Sequence, residues 1–118
     1  MRVHVISDME GVAGIVKWEQ TTGGEPLYEE GRKLYTEEIN AAIRGAKAAG
    51  ATEIVVMDCH GAGKGWTFNS LIHEDLDPAC EYVVQNECTR VPLPRTLGVT
   101  VTPPRTPRAP PQRGSRTA

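Results

Sequence analysis

The sequence predicts an α/β fold, a parallel βαβ-containing sheet with flanking helices, on three observations. Two apolar runs, "RVHVIS" and "EIVVM", lead into stretches of one grammar: "SDMEG" at Ser7–Gly11 and "MDCHG" at Met57–Gly61. In each, an acid, a spacer, a second potential metal ligand and a glycine follow in order. Between them, apolar positions recur every three or four residues, the period of a helix with one buried face. Strand, helix and strand are thus complete by Asp58, which fits one right-handed βαβ unit.

Arg2–Ser7 alternates and is rich in β-branched residues, so it predicts a first strand running into a turn at Asp8–Gly14. Val12, Gly14 and "TTGGEP" predict an irregular connection up to Pro26. From Leu27 to Ala49, Tyr35, Ile39, Ala42, Ile43 and Ala46 share one face, which predicts an amphipathic helix stopped by Gly50. Thr36 in "TEEI" marks a kink or a second helix start within it. Glu53–Met57 is an unbroken apolar run after its acid, as in a strand buried on both faces. A short helix at Asn69–Asp75 and a strand at Glu81–Gln85 complete the expected elements.

A length of 118 residues suits one domain, but the charge is divided. Residues 1–88 carry 7 basic against 15 acidic residues, a net −8, whereas residues 89–118 carry 6 basic and no acidic ones. That last stretch holds 7 of the 9 prolines and no Lys or aromatic residue. The domain reading is therefore an N-terminal portion of an α/β domain at 1–88 and an extended or disordered Arg/Pro-rich tail at 89–118. Without aromatic interleaving the tail predicts no nucleic-acid partner. There is no apolar leader and no run of about 18 apolar residues, so no membrane partner and a cytoplasmic location are expected. Cys59, Cys80 and Cys88 show no C-x-x-C spacing, which supports neither a disulfide framework nor a thiolate zinc site.

Parallel strands would bring Asp8/Glu10 and Asp58/His60 to the same carboxyl edge, where open α/β sheets place ligands. Two carboxylates and an imidazole form a mixed oxygen and nitrogen set that suits zinc, manganese or iron. The single spacer lets both members of a pair face one side. A carboxylate can also bridge two ions about 3.5–4 Å apart, which together activate water and polarise a carbonyl or phosphoryl oxygen. The competing reading makes Asp8 and Asp58 turn residues that bond nearby backbone N–H groups. "GAGKG" departs from a phosphate loop, since Gly65 follows Lys64 and Asp58 stands where the first glycine belongs, so a flexible active-site loop is expected. His4 and His73 read as structural or solvated, and Trp18 and Trp66 as packing or pocket-lining residues.

Three segments, "MRVHVISDMEGVAGI", "YEEGRKLYTEEINAAIRGA" and "GATEIVVMDCHG", resemble the N-terminal third of the DppA-type D-aminopeptidases over roughly residues 1–85. The resemblance implies zinc-dependent hydrolysis of short peptides with N-terminal D-amino acids, by a protein that assembles into rings. It implies two zinc ions, with Asp8 bridging them, Glu10 on one, His60 as an imidazole ligand and Asp58 supporting the site from behind. That family usually has Ser where Cys59 stands. Its remaining ligands and catalytic His lie later in the chain, whereas after Asn86 this sequence has no His and only Glu87 as an acid. The expectation is a truncated chain with weak or no activity, its tail translated in a shifted frame of a GC-rich gene. Translating the other frames downstream of about codon 85 tests that. Two alternatives stand beside it: a haloacid-dehalogenase-like phosphatase with Asp8 as nucleophile and Glu10 in place of its second Asp, and a non-catalytic, oligomer-forming remnant.

Overall fold

The computed structural model describes residues 1–83, residue 85 and residues 98–102. Its elements are β1 (Arg2–Ser7), α1 (Tyr28–Ala48), β2 (Glu53–Asp58), β3 (Glu81–Val83) and β4 (Gly98–Thr102), with single 3-10 turns at Trp18–Gln20 and His73–Asp75. The sheet order is β3-β2-β1-β4. β1, β2 and β3 run parallel, and the register of β1 on β2 sets Val3 beside Ile54 and Ser7 beside Asp58. Both acid-containing motifs therefore leave the sheet at the same level.

The core lies between the sheet and α1. Val3 and Val5 of β1, Ile54 and Val56 of β2, and Tyr35, Ile39 and Ile43 of α1 are all buried. Alternate strand residues and helix residues four apart meet there, as their two periods require. β2 departs from the expectation of burial on both faces, because Val55 and Met57 are only half-buried while α1 covers the side of Ile54 and Val56. Gly50, at φ 88°, ends the helix as its left-handed stop, and its N–H reaches the Lys47 carbonyl.

Thr36 neither kinks nor restarts the helix, which is continuous over 21 residues. Its hydroxyl donates to the Arg32 carbonyl at 2.8 Å and accepts the Ile72 N–H at 3.0 Å. One turn on, Asn40 donates to the Asp75 carbonyl and accepts the Asp77 N–H, both at 2.7 Å. These side-chain clamps hold the chain after residue 70 as a strap with one 3-10 turn, where a short helix at Asn69–Asp75 was expected. The strand expected at Glu81–Gln85 is present as Glu81–Val83.

Gly98–Thr102 pairs antiparallel with β1, setting Val99 beside Val5 and Thr102 beside Arg2. Averaged over the Arg/Pro-rich stretch, composition hides the alternating, β-branched "GVTVT". Residue 84 and residues 86–97 and 103–118, Cys88 among them, lie outside the described residues. Among the described residues no helix is long and apolar enough to cross a membrane.

Candidate metal centre

β1 ends at Ser7, and the next residues are fixed by what lies between the two acids. Met9 is fully buried and anchors the turn, leaving Asp8 and Glu10 on the outer side. Asp8 Oδ1 accepts the Met9 N–H at 2.8 Å and lies 2.8 Å from His60 Nδ1. Glu10 Oε2 lies 3.2 Å from the same nitrogen. The three predicted ligands thus converge, with one ligand atom from each within 4.8 Å of the others.

His60 is held from behind. Its Nε2 donates to the Thr21 carbonyl at 2.7 Å, which leaves Nδ1 facing the two carboxylates. Such an outer contact fixes ring orientation and tautomer at metal-binding histidines. Two acceptor-only groups around one imidazole nitrogen demand a positive charge, supplied either by a proton on Nδ1 or by a cation. The donor set therefore fits a metal ion.

Asp58 plays a different part. Its buried carboxylate accepts four hydrogen bonds: from the His60 N–H (2.9 Å), the Tyr35 hydroxyl (3.1 Å), and the Ser70 and Leu71 N–H groups (2.6 and 3.1 Å). The turn reading describes Asp58 well, for its oxygens are committed to backbone and a buried tyrosine. It touches no ligand atom of the triad and acts on His60 through the backbone. Tyr35 also lies 2.7 Å from Ser7 Oγ, so one helix residue ties both strand ends.

Electrostatics follow from this arrangement. Burial acts to raise the Asp8 carboxyl, but hydrogen bonds with His60, Glu10 and the Met9 N–H outweigh it and hold that group at about 2. Burial, then the hydrogen bond with Asp8, raises Glu10. Burial acts to lower the His60 imidazole, while Asp8, the Thr21 carbonyl and the Glu10 charge outweigh it and raise the group above 6.5.

Unfolding returns Asp8 to 3.8 and His60 to 6.5, so their pair stabilises the metal-free fold fully between those values. That contribution fades as pH falls through the depressed Asp8 value, and again as pH rises through the raised His60 value. Glu10, being raised, contributes fully below its ordinary 4.5 and loses that contribution as pH rises through its raised value. The thermal midpoint of metal-free protein is expected to fall as pH climbs past the His60 value, with His60→Gln flattening that limb. A wild-type midpoint that climbs steadily across it would contradict the Asp8–His60 pairing.

The other sequence candidates fall elsewhere. Lys64, at φ 51°, is exposed with Nζ 3.6 Å from Glu25 Oε1, and "GAGKG" forms an outer loop tied to Gly23 through the Ala62 carbonyl. Cys59 Sγ lies 3.7 Å from Gln85 Oε1, apart from the triad, so the Ser-to-Cys departure leaves the ligands untouched. The His73 ring packs on Tyr82, while Trp66 packs edge-on against Tyr28 beneath the Arg32 guanidinium. Trp18 lines a pocket next to Glu10. The residues missed from sequence are Thr21, which acts through a backbone carbonyl and so leaves no signature, and Gly31. A glycine inside an otherwise regular helix was the available signal for Gly31.

An α/β protein with a candidate carboxylate–imidazole metal centre at the carboxyl edge of its sheet is the class that fold and site define. The family model of the D-aminopeptidases matches residues 1–90, and the chain belongs to that family. It is 34% identical over 83 residues to a D-aminopeptidase of Bacillus subtilis (strain 168), an alignment spanning 70% of this chain and 28% of that protein. The solved structure of the Zn-dependent D-aminopeptidase DppA from Bacillus subtilis, described as a self-compartmentalizing protease, matches with a TM-score of 0.64 at 34% identity. That match covers 74% of this chain and 30% of the other. The chain therefore spans less than a third of the length of these relatives. The family resemblance of its three segments is borne out, and the comparisons give no support to the phosphatase alternative.

Proposed function

We propose that Asp8, Glu10 and His60 hold zinc, and that the chain takes part in zinc-dependent hydrolysis of short peptides with N-terminal D-amino acids. The observation that carries this reading is the convergence of two carboxylates on an imidazole nitrogen whose partner nitrogen is already fixed by Thr21. A bound zinc ion would supply Lewis-acid polarisation of the scissile carbonyl and a lowered pKa for the attacking water. The chain's own residues prepare the place: Met9 anchors the acidic turn, Thr21 orients the ring, and Asp58 fixes the backbone that carries it. Asp8, whose side chain is 39% exposed, would take the bridging role in a two-ion centre. Three side-chain ligands make a site of modest affinity and a slow hydrolase, working in the cytoplasm as a homo-oligomer.

Metal analysis of purified protein tests this. The expected result is stoichiometric zinc that is lost in Asp8→Ala and in His60→Ala, with release of amino acid from D-Ala peptides following the zinc content. Because zinc displaces a proton from Nδ1, its apparent affinity should rise about tenfold per pH unit below the His60 value. Absence of bound metal in wild type, with a melting temperature indifferent to chelator, refutes the reading in favour of a non-catalytic remnant.

A further inference from the structure

The segment from Ile15 to Thr21 meets the triad through the Thr21 carbonyl, yet it leaves two apolar side chains in solvent. Val16 is 82% exposed and Trp18 76%. With the half-buried Ile15 they wall an open pocket of ≈ 260 Å³ whose other sides are Glu10, Gly11, Lys17 and Thr21. Glu10 is the carboxylate 3.2 Å from His60 Nδ1, so the pocket adjoins the triad through that one residue. An apolar pocket beside a few convergent polar groups is the ordinary form of a small-ligand site.

This wall is fixed before any ligand arrives. The buried Gln20 accepts the Val16 and Lys17 N–H groups at 2.7 and 2.9 Å and donates to the Gly14 carbonyl at 3.0 Å. One side chain thus clamps the turn that presents Val16 and Trp18, and preorganisation of that kind lowers the entropy lost on binding. Contiguity with the triad and the scale of the pocket both point to a small ligand seated against the reacting centre, of side-chain dimensions.

We infer that Ile15, Val16 and Trp18 form the subsite for an apolar side chain on the amino-terminal residue of the peptide, which makes Val16 and Trp18 specificity-determining residues. This rests on the zinc-peptidase reading, since it places the scissile bond at the triad. Such a wall favours branched aliphatic side chains over glycine. Each methylene seated there strengthens binding about fourfold when fully buried, and less in a pocket this open.

Amino alcohols carry the amine and the side chain without a scissile bond, so they report binding apart from turnover. Tryptophan fluorescence of the full chain, zinc-loaded and zinc-free, would be titrated with D-leucinol, D-alaninol and ethanolamine. The expected result is an emission change that disappears in Trp18→Phe, and affinity about tenfold greater for D-leucinol than for ethanolamine. Val16→Ala should shrink that ratio while leaving zinc content and the circular dichroism spectrum unchanged. Equal affinity for the three ligands overturns the subsite. So does a preference that survives in Val16→Ala and Trp18→Phe while their elution volume shifts, which would assign the patch to a second copy of the chain. Side-chain preference in a protein that takes up no zinc when offered it refutes the metal assignment and leaves the subsite standing, and zinc uptake with flat preference does the reverse.

Discussion

Asp58→Asn is expected to destabilise the fold by about 3 kcal/mol, because one amide oxygen replaces a carboxylate that serves four donors. An asparagine must turn its NH2 toward either the Ser70 and Leu71 N–H groups or the His60 N–H and Tyr35 hydroxyl. Each choice sets donor against donor in a site that is 1% exposed, where water cannot repair the loss. For a domain of this size, such a loss lowers the thermal midpoint by about 12 °C or more. Circular dichroism melts measure it directly. Asp8→Asn is the informative control: its side chain is 39% exposed, so water replaces lost partners and the melt should move far less. Similar shifts for the two variants would mean that Asp58 does not organise the edge as described.

Gly31→Ala carries the second large effect. A Cβ on Gly31 would lie 1.9 Å from the Gln20 carbonyl oxygen and 3.0 Å from the Met9 methyl. The first of these is backbone and cannot swing aside, so either α1 or the preceding loop must move, at a cost of about 3 kcal/mol. The residue after Gln20 is Thr21, whose carbonyl holds His60 Nε2, and Met9 separates Asp8 from Glu10. Displacement therefore reaches the triad, and zinc affinity should fall by about 10- to 100-fold, as it does when an outer partner of a metal-bound histidine is lost. Thermal melts and competitive zinc titration measure the two effects. Gly45→Ala, with nothing within 4 Å of its added carbon, should instead stabilise the same helix by about 0.5–1 kcal/mol. A Gly31→Ala protein that melts and binds zinc like wild type would refute the close approach.

What could be read from the sequence, and what could not, divides along a physical line. β1, α1 and β2 were legible because side-chain burial imposes periods of two and 3.6 on the chain. The convergence of Asp8, Glu10 and His60 was legible because parallel strands deliver equivalent ends to one edge, so spacing within each motif was enough. The role of Asp58 was only half legible. Its position as a support was anticipated, but its four donors come from segments far apart in sequence, and three of them are backbone groups that any residue carries. Thr21 was invisible for the same reason. The strap after residue 70 departed from a helix because Thr36 and Asn40 of α1 claim its backbone groups. β4 was lost because its five residues sit within a stretch whose average is set by proline and arginine.

The Gln20–Thr21 pair adds a second link, beside Glu10, between the pocket and the imidazole. Gln20 sets the stance of the pocket wall, and Thr21, one peptide bond later, sets the stance of the imidazole. A ligand that prefers one position of the wall must then prefer one position of the ring. Reciprocity follows from thermodynamics alone: whatever factor an ion on His60 adds to the affinity for a pocket ligand, that ligand returns to the affinity for the ion.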